Sequence, residues 1–185
     1  MWAKHIPNII SIIRIFLVPP ILYLIYQEQY IAALLLFFVA GASDGLDGYL
    51  AKKYNWVSHL GGMLDPIADK LLLVGCYGVL AWMGHIPWWL VVTIIARDVI
   101  IVIGSFSYYL LYGRYEMQPS YISKLNTFSQ IVLVLFVMAS LDLIDVPANV
   151  VEGCFYFVFL TTTLSGLDYF ITWGVKAWRN RKNRY

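Results

Sequence analysis

Long apolar runs separated by short polar breaks recur along the whole chain. A helix needs about 20 predominantly apolar residues to cross a bilayer. Six runs of that order are present, near residues 7–26, 31–51, 66–84, 87–112, 121–140 and 149–175. The pattern predicts an all-α integral membrane protein with six transmembrane helices in one membrane domain over residues 1–185, ending in a basic tail at 176–185. The breaks between the runs are too short to hold a separate soluble domain.

Composition moves the picture in the same direction. Apolar residues make up 61% of the chain and charged residues 13%, against about 45–50% and about 25% in soluble domains, so lipid is the solvent this composition fits. The net charge of +2 is too small to point to nucleic acid. Cys76 and Cys154 both fall inside predicted helices and read as thiols packed like small hydrophobes, not as a metal site or a disulfide framework. Lys4 and the run from Ile6 resemble a signal peptide superficially. Arg14 interrupts that run and no small-residue cleavage site precedes the next helices, so the segment is expected to belong to the mature protein.

The placement of positive charge predicts orientation. The breaks at Gln27–Tyr30, Gly84–Pro87 and Leu141–Ala148 carry no Lys or Arg, whereas Lys4, Lys52, Lys53, Arg114, Lys124 and the tail Lys176–Arg184 fall on the opposite side. The positive-inside rule then puts both termini in the cytoplasm, which requires an even number of crossings. The tail cations Lys176, Arg179, Arg181, Lys182 and Arg184 serve as a topology anchor or touch anionic lipid headgroups. Trp88, Trp89, Tyr108, Tyr109, Trp173 and Trp178 read as aromatics of the membrane interface.

Ionisable groups in membrane helices are costly, so each one asks for an explanation. Asp44 and Asp47, three apart, close the second helix; Asp65 and Asp69, four apart, open the third. Each spacing puts its pair on one helical face, and two antiparallel helices joined at Lys53–Leu60 can bring the faces together. Four carboxylates in one small site repel each other, and Lys52 and Lys70 compensate poorly. Divalent metal solves the problem. Hard oxygen ligands suit Mg2+ or Mn2+, and two such ions about 3.5–4 Å apart can clamp a displacement at phosphorus. The absence of a Cys/His ligand set argues against zinc. Gly48 and Ala51 leave room beside the acidic pair for a nucleotide.

The stretch Asp44-Gly45-Leu46-Asp47-Gly48-Tyr49-Leu50-Ala51-Lys52, eight residues, then Gly61 to Asp65 and Asp69, resembles the D-x-x-D-G-x-x-A-R…G-x-x-x-D-x-x-x-D signature of the CDP-alcohol phosphatidyltransferases. Lys52 stands where that family usually has Arg, keeping the charge but losing the bidentate fork. The resemblance implies that Asp44, Asp47 and Asp65 ligate the metals, with Asp69 a further ligand and the general base. It also implies that Gly48, Ala51, Lys52 and Gly61 line the pocket for CDP-diacylglycerol. Asn8, Ser11 and Arg14 resemble the family's N-x-x-T-x-x-R element and would join the nucleotide pocket; otherwise Asn8 caps the first helix and Arg14 snorkels to the interface.

Two branches compete for the acceptor. Glycerol 3-phosphate is a compact dianion that needs several cations, and only Arg97 and Lys124 are at hand. Ser105 and Asn126 lie in regions where the phosphatidylglycerophosphate synthases are expected to place further positive residues. The segments Ala42–Gly48 and Tyr121–Thr127 look more like the cardiolipin synthases, whose acceptor, phosphatidylglycerol, carries one charge. Arg97 then binds the acceptor's phosphodiester, or pairs with Asp98 or Asp168 inside the bundle. With no presequence recognised, a bacterial inner membrane is expected, and the positive-inside pattern puts the active site on the cytoplasmic side in contact with membrane lipids; dimers are common among the proteins it resembles, so a homodimer is one assembly open to the chain. A membrane prenyltransferase would need more helices and more widely separated acidic motifs. A cation-binding transporter or scaffold would explain neither Gly48 and Ala51 nor the one-sided acidic cluster.

Overall fold

The computed structural model describes the backbone of residues 6–54, 61–112 and 120–182 and the side chains of residues 12–43, 68–104 and 120–171. Every described element is an α-helix: α1 (Ile6–Tyr26), α2 (Tyr30–Tyr54), α3 (Gly61–Trp82), α4 (Trp88–Tyr112), α5 (Tyr121–Asp142) and α6 (Ala148–Lys182). They coincide with the six apolar runs, with two differences at the ends. Helix α3 begins at Gly61, not near 66, so Pro66 falls in its second turn, where it gives up one backbone bond while the helix continues. Helix α6 continues to Lys182, through most of the basic stretch expected as a tail. Pro19 and Pro20 lie inside α1, where a purely apolar reading sees an uninterrupted span.

Local chemistry sets several of these ends. After α3, the His85 amide donates to the Leu80 carbonyl (2.9 Å) and the Gly84 amide to Ala81 (3.1 Å), with Gly84 at φ 84°. This is a Schellman closure, and glycine fits its left-handed position. The same pattern ends α1, where Gln29 donates to Leu24 and Glu28 to Ile25 (2.9 Å each), and Glu28 takes the left-handed position at φ 60° despite its side chain. Ser120 caps α5, its Oγ accepting from the Ser123 amide at 3.2 Å.

The described chain forms two compact units. The first comprises residues 1–86 and 134–146, the second residues 87–133 and 147–185. In the first, α1 packs against both α2 and α3, burying Ile21, Ile25, Ala33, Ala40, Cys76 and Leu80 completely. Its ends are distinct. The Tyr30 hydroxyl meets His85 Nε2 at 2.8 Å where α2 starts and α3 has ended, so the C-terminal part of α2 and the N-terminal part of α3 fall at the opposite end. In the second unit α4 packs on α6; Trp89 stacks on Tyr156 (centroids 5.8 Å apart) and meets Phe159 edge-on (5.5 Å). The Tyr169 hydroxyl donates to the Ile101 carbonyl at 3.1 Å.

The apolar core shares its interior with several polar side chains, while large apolar ones cover the outside. Arg14, Arg97, Asn126, Gln130, Thr162 and Ser165 are buried, while Phe16, Phe38, Val102 and Ile171 stand 65–74% exposed. Exposed apolar surface on this scale calls for an apolar surrounding. Among the described residues, Tyr121–Asp142 and Ala148–Ile171 are long and apolar enough to cross a membrane, and Ile12–Tyr26 and Tyr30–Ser43 are shorter apolar helices.

Candidate active site

In the first unit, Arg14 on α1 reaches Asp69 on α3, with Nη1 2.7 Å from Oδ1. The arginine side chain is 1% exposed and the aspartate 48%. A buried guanidinium needs an anion, and Asp69 supplies it from a position that still opens outward. The contact also fixes the direction in which the carboxylate faces. Sequence reasoning placed Arg14 and Asp69 in one pocket without foreseeing that they touch. The signal was present: Arg14 is the first cation inside an otherwise apolar helix, and such a residue seeks an acidic partner on a neighbouring helix.

Helices α2 and α3 are continuous through Asp44, Asp47 and Asp65, so the three- and four-residue spacings put each pair on one face. The side chains of Asp44, Asp47 and Asp65 lie outside the described residues, as do those of Asn8, Ser11, Ala51 and Lys52; Gly48 and Gly61 are placed only as helical backbone. Of the four expected ligands, Asp69 alone has a described side chain, a half-exposed carboxylate oriented by Arg14 and chemically suited to a hard divalent ion.

The second unit holds a separate polar group. Arg97 on α4, 8% exposed, donates from Nη1 to Asp98 Oδ1 (2.9 Å) and from Nη2 to Ser123 Oγ on α5 (2.6 Å) and Ser165 Oγ on α6 (2.5 Å). Of the two carboxylates weighed as partners for Arg97, Asp98 is the one in contact. Asp168 is half-buried on α6. Ser123 and Ser165 were missed in the sequence because a serine in an apolar helix usually bonds its own backbone. One turn along, Asn126 Oδ1 accepts from Thr161 (3.1 Å) and Thr162 (2.8 Å). Lys124 is exposed in the first turn of α5, with Nζ 5.7 Å from the Tyr121 ring centroid.

Comparison with known proteins adds to this geometry. The family model described as CDP-alcohol phosphatidyltransferase matches residues 4–173. The cardiolipin synthase (CMP-forming) of Homo sapiens is 34% identical over 181 residues, covering 89% of this chain and 60% of that protein. A putative cardiolipin synthase of Mycobacterium tuberculosis (strain ATCC 25618 / H37Rv) is 33% identical over 126 residues, covering 66% of this chain and 59% of its own. A CDP-diacylglycerol--glycerol-3-phosphate 3-phosphatidyltransferase of Rickettsia typhi is 37% identical over 134 residues, 69% of this chain and 72% of its own. The chain thus spans less than two thirds of the length of both cardiolipin synthases. With a family model covering nearly its whole length and the acidic signature on α2 and α3, this chain belongs to the CDP-alcohol phosphatidyltransferase family.

Proposed function

We propose that the protein transfers the phosphatidyl group of CDP-diacylglycerol to the hydroxyl of phosphatidylglycerol, giving cardiolipin and CMP. Asp69 takes the proton from the acceptor hydroxyl. The freed oxygen attacks the phosphorus bonded to the diacylglycerol oxygen, the new O–P bond forms, and the bond to CMP breaks. Asp69 later returns its proton to water. Mg2+ or Mn2+, held by Asp44, Asp47, Asp65 and Asp69 as a two-metal site, would polarise the phosphate and stabilise the leaving CMP. Asn8, Ser11, Arg14, Gly48, Ala51, Lys52 and Gly61 shape the nucleotide pocket, and Arg97 and Lys124 hold the acceptor's phosphate. In this reading the six helices form one membrane domain with both termini cytoplasmic, in a bacterial inner membrane, with the site on the cytoplasmic side; a homodimer is compatible with it.

The observation that carries the choice of acceptor is the Arg97–Asp98 pair. Its guanidinium charge is met at 2.9 Å by a carboxylate that is itself only 14% exposed, so part of the Arg97 charge is already offset within the protein. That favours an acceptor phosphate with one negative charge, a phosphodiester, over the glycerol 3-phosphate dianion. The Rickettsia relative favours the second reading, in which glycerol 3-phosphate is the acceptor.

Product identity decides between them. Purified protein supplied with CDP-diacylglycerol and both acceptors at matched concentration is expected to yield cardiolipin as the main lipid by mass spectrometry. Phosphatidylglycerophosphate without cardiolipin would overturn the acceptor and leave the family untouched. Lys124→Ala is expected to raise the KM for the acceptor by about two- to fivefold, the range for one exposed charge, with little change for CDP-diacylglycerol. Equal effects on both substrates would remove Lys124 from the acceptor side.

A further inference from the structure

Asn126 is fully buried, yet its Nδ2 has no hydrogen-bond partner among the described residues. Thr161 has one hydroxyl proton and two acceptors to choose from, Asn126 Oδ1 at 3.1 Å and the Val158 carbonyl at 3.0 Å, whereas Thr162 donates to Oδ1 at 2.8 Å. The amide is therefore held by its oxygen against α6, with its N–H groups turned elsewhere. An unmade buried donor is costly in any protein, and in a membrane bundle water does not readily relieve it. Such a group is retained where something else supplies the acceptor.

Its place in the unit says what that acceptor is. Asn126 follows Ser123 by three residues on α5, and Thr161 and Thr162 precede Ser165 by four and three on α6. Ser123 and Ser165 both hold Arg97 Nη2. The amide layer thus lies one helical turn, about 5 Å, from the guanidinium layer, on the side away from the start of α5. Gly166 packs beside Arg97, where a Cβ would stand 3.8 Å from Arg97 Cγ, an ordinary van der Waals contact. A phosphodiester bound by Arg97 would compete with Ser123 and Ser165 for Nη2. An uncharged donor one turn beyond a phosphate-binding cation suits an uncharged oxygen a few bonds from that phosphate.

We propose that Asn126 is a specificity-determining residue whose Nδ2 donates to the non-reacting secondary hydroxyl of the acceptor's glycerol headgroup, with Thr161 and Thr162 orienting the amide. This rests on the reading that Arg97 and Lys124 bind the phosphate of a glycerol-headed phospholipid. Nδ2 gains the partner it lacks, and the headgroup is fixed so that its primary hydroxyl is the one presented for reaction.

The test compares phosphatidylglycerol with a lipid of the same chains whose headgroup is propane-1,3-diol, which keeps the reacting primary hydroxyl and lacks the secondary one. The native chain is expected to favour phosphatidylglycerol in kcat/KM by about tenfold, the worth of one well-placed hydrogen bond. Asn126→Ala is expected to bring the ratio to about one by slowing phosphatidylglycerol alone, with the KM for CDP-diacylglycerol unchanged. Asn126→Leu, close to asparagine in shape and without a donor, fills the space and so guards against a packing defect, and is expected to lose the same preference. A purely structural amide would slow both lipids equally in both variants, and that result overturns the assignment, as does a native chain indifferent to the two lipids. A native chain that uses neither lipid overturns the acceptor reading and this assignment with it.

Discussion

Replacing Asp69 by asparagine is expected to cut CMP formation by about 10²–10⁴-fold, the usual contribution of general-base assistance, while binding of CDP-diacylglycerol survives. The geometry makes the substitution clean. Asparagine has the shape of aspartate and keeps an oxygen where Oδ1 now accepts from Arg14 Nη1 at 2.7 Å, so the α1–α3 contact persists. What disappears is the negative charge and the capacity to hold a proton. Asp69→Ala removes the contact as well and leaves a guanidinium that is 1% exposed without this anion, so it should lower thermal stability where asparagine lowers it less. CMP release in proteoliposomes, lipid-nucleotide binding and a melting curve on all three proteins separate these effects. Near-normal turnover in the asparagine variant removes Asp69 as the base. Loss of binding together with turnover would show that its part in holding the metal and nucleotide dominates.

The contrast between Asp69 and Arg97 shows what a sequence like this one makes legible. Helix positions were readable because an apolar run in lipid has to be helical to satisfy its own backbone; α2 and α5 lie within a few residues of the runs that predict them. The ends were less readable. They depend on single backbone bonds, such as His85 to Leu80, and on whether a proline near a start costs one bond or stops the helix, as at Pro66. The acidic motif was readable because its spacing is local to each helix. Contacts across helices were not: that Arg14 meets Asp69, or that Ser165 meets Arg97 across 68 positions, depends on how each helix is rotated about its axis and slid along its neighbour. In α5 and α6, small polar residues such as Ser123, Asn126, Thr162 and Ser165 sit on the buried face while bulky apolar ones such as Phe128 and Phe170 face outward. A rule that sends only apolar residues inward therefore misses part of the inner face of these helices, although Leu133, Val134, Phe155 and Val158 obey it.

Removing divalent metal should have the largest effect of any perturbation, abolishing turnover altogether. The reason is electrostatic and lies in the backbone as much as in the motif. Helices α2 and α3 run unbroken through Asp44 and Asp47 and through Asp65 and Asp69, so neither pair can relieve its repulsion by local unwinding. Arg14 is engaged at Oδ1 of Asp69, and one buried cation cannot balance four carboxylates and the pyrophosphate of a nucleotide besides. Chelator-treated protein is accordingly expected to release no CMP and to bind CDP-diacylglycerol weakly, with Mg2+ or Mn2+ restoring both. Zn2+ should be a poor substitute, because it favours four-coordinate sites with nitrogen or sulfur ligands. Ca2+ should restore nucleotide binding without turnover, since its longer and more variable oxygen contacts, about 2.3–2.6 Å against about 2.0–2.1 Å for Mg2+, misplace the reacting oxygens. Measuring binding and CMP release on the same metal-free preparation separates a cation needed to hold the nucleotide from one needed for the chemistry. Full activity in protein shown by elemental analysis to be free of metal would overturn the two-metal reading, and the four aspartates would then need another source of positive charge.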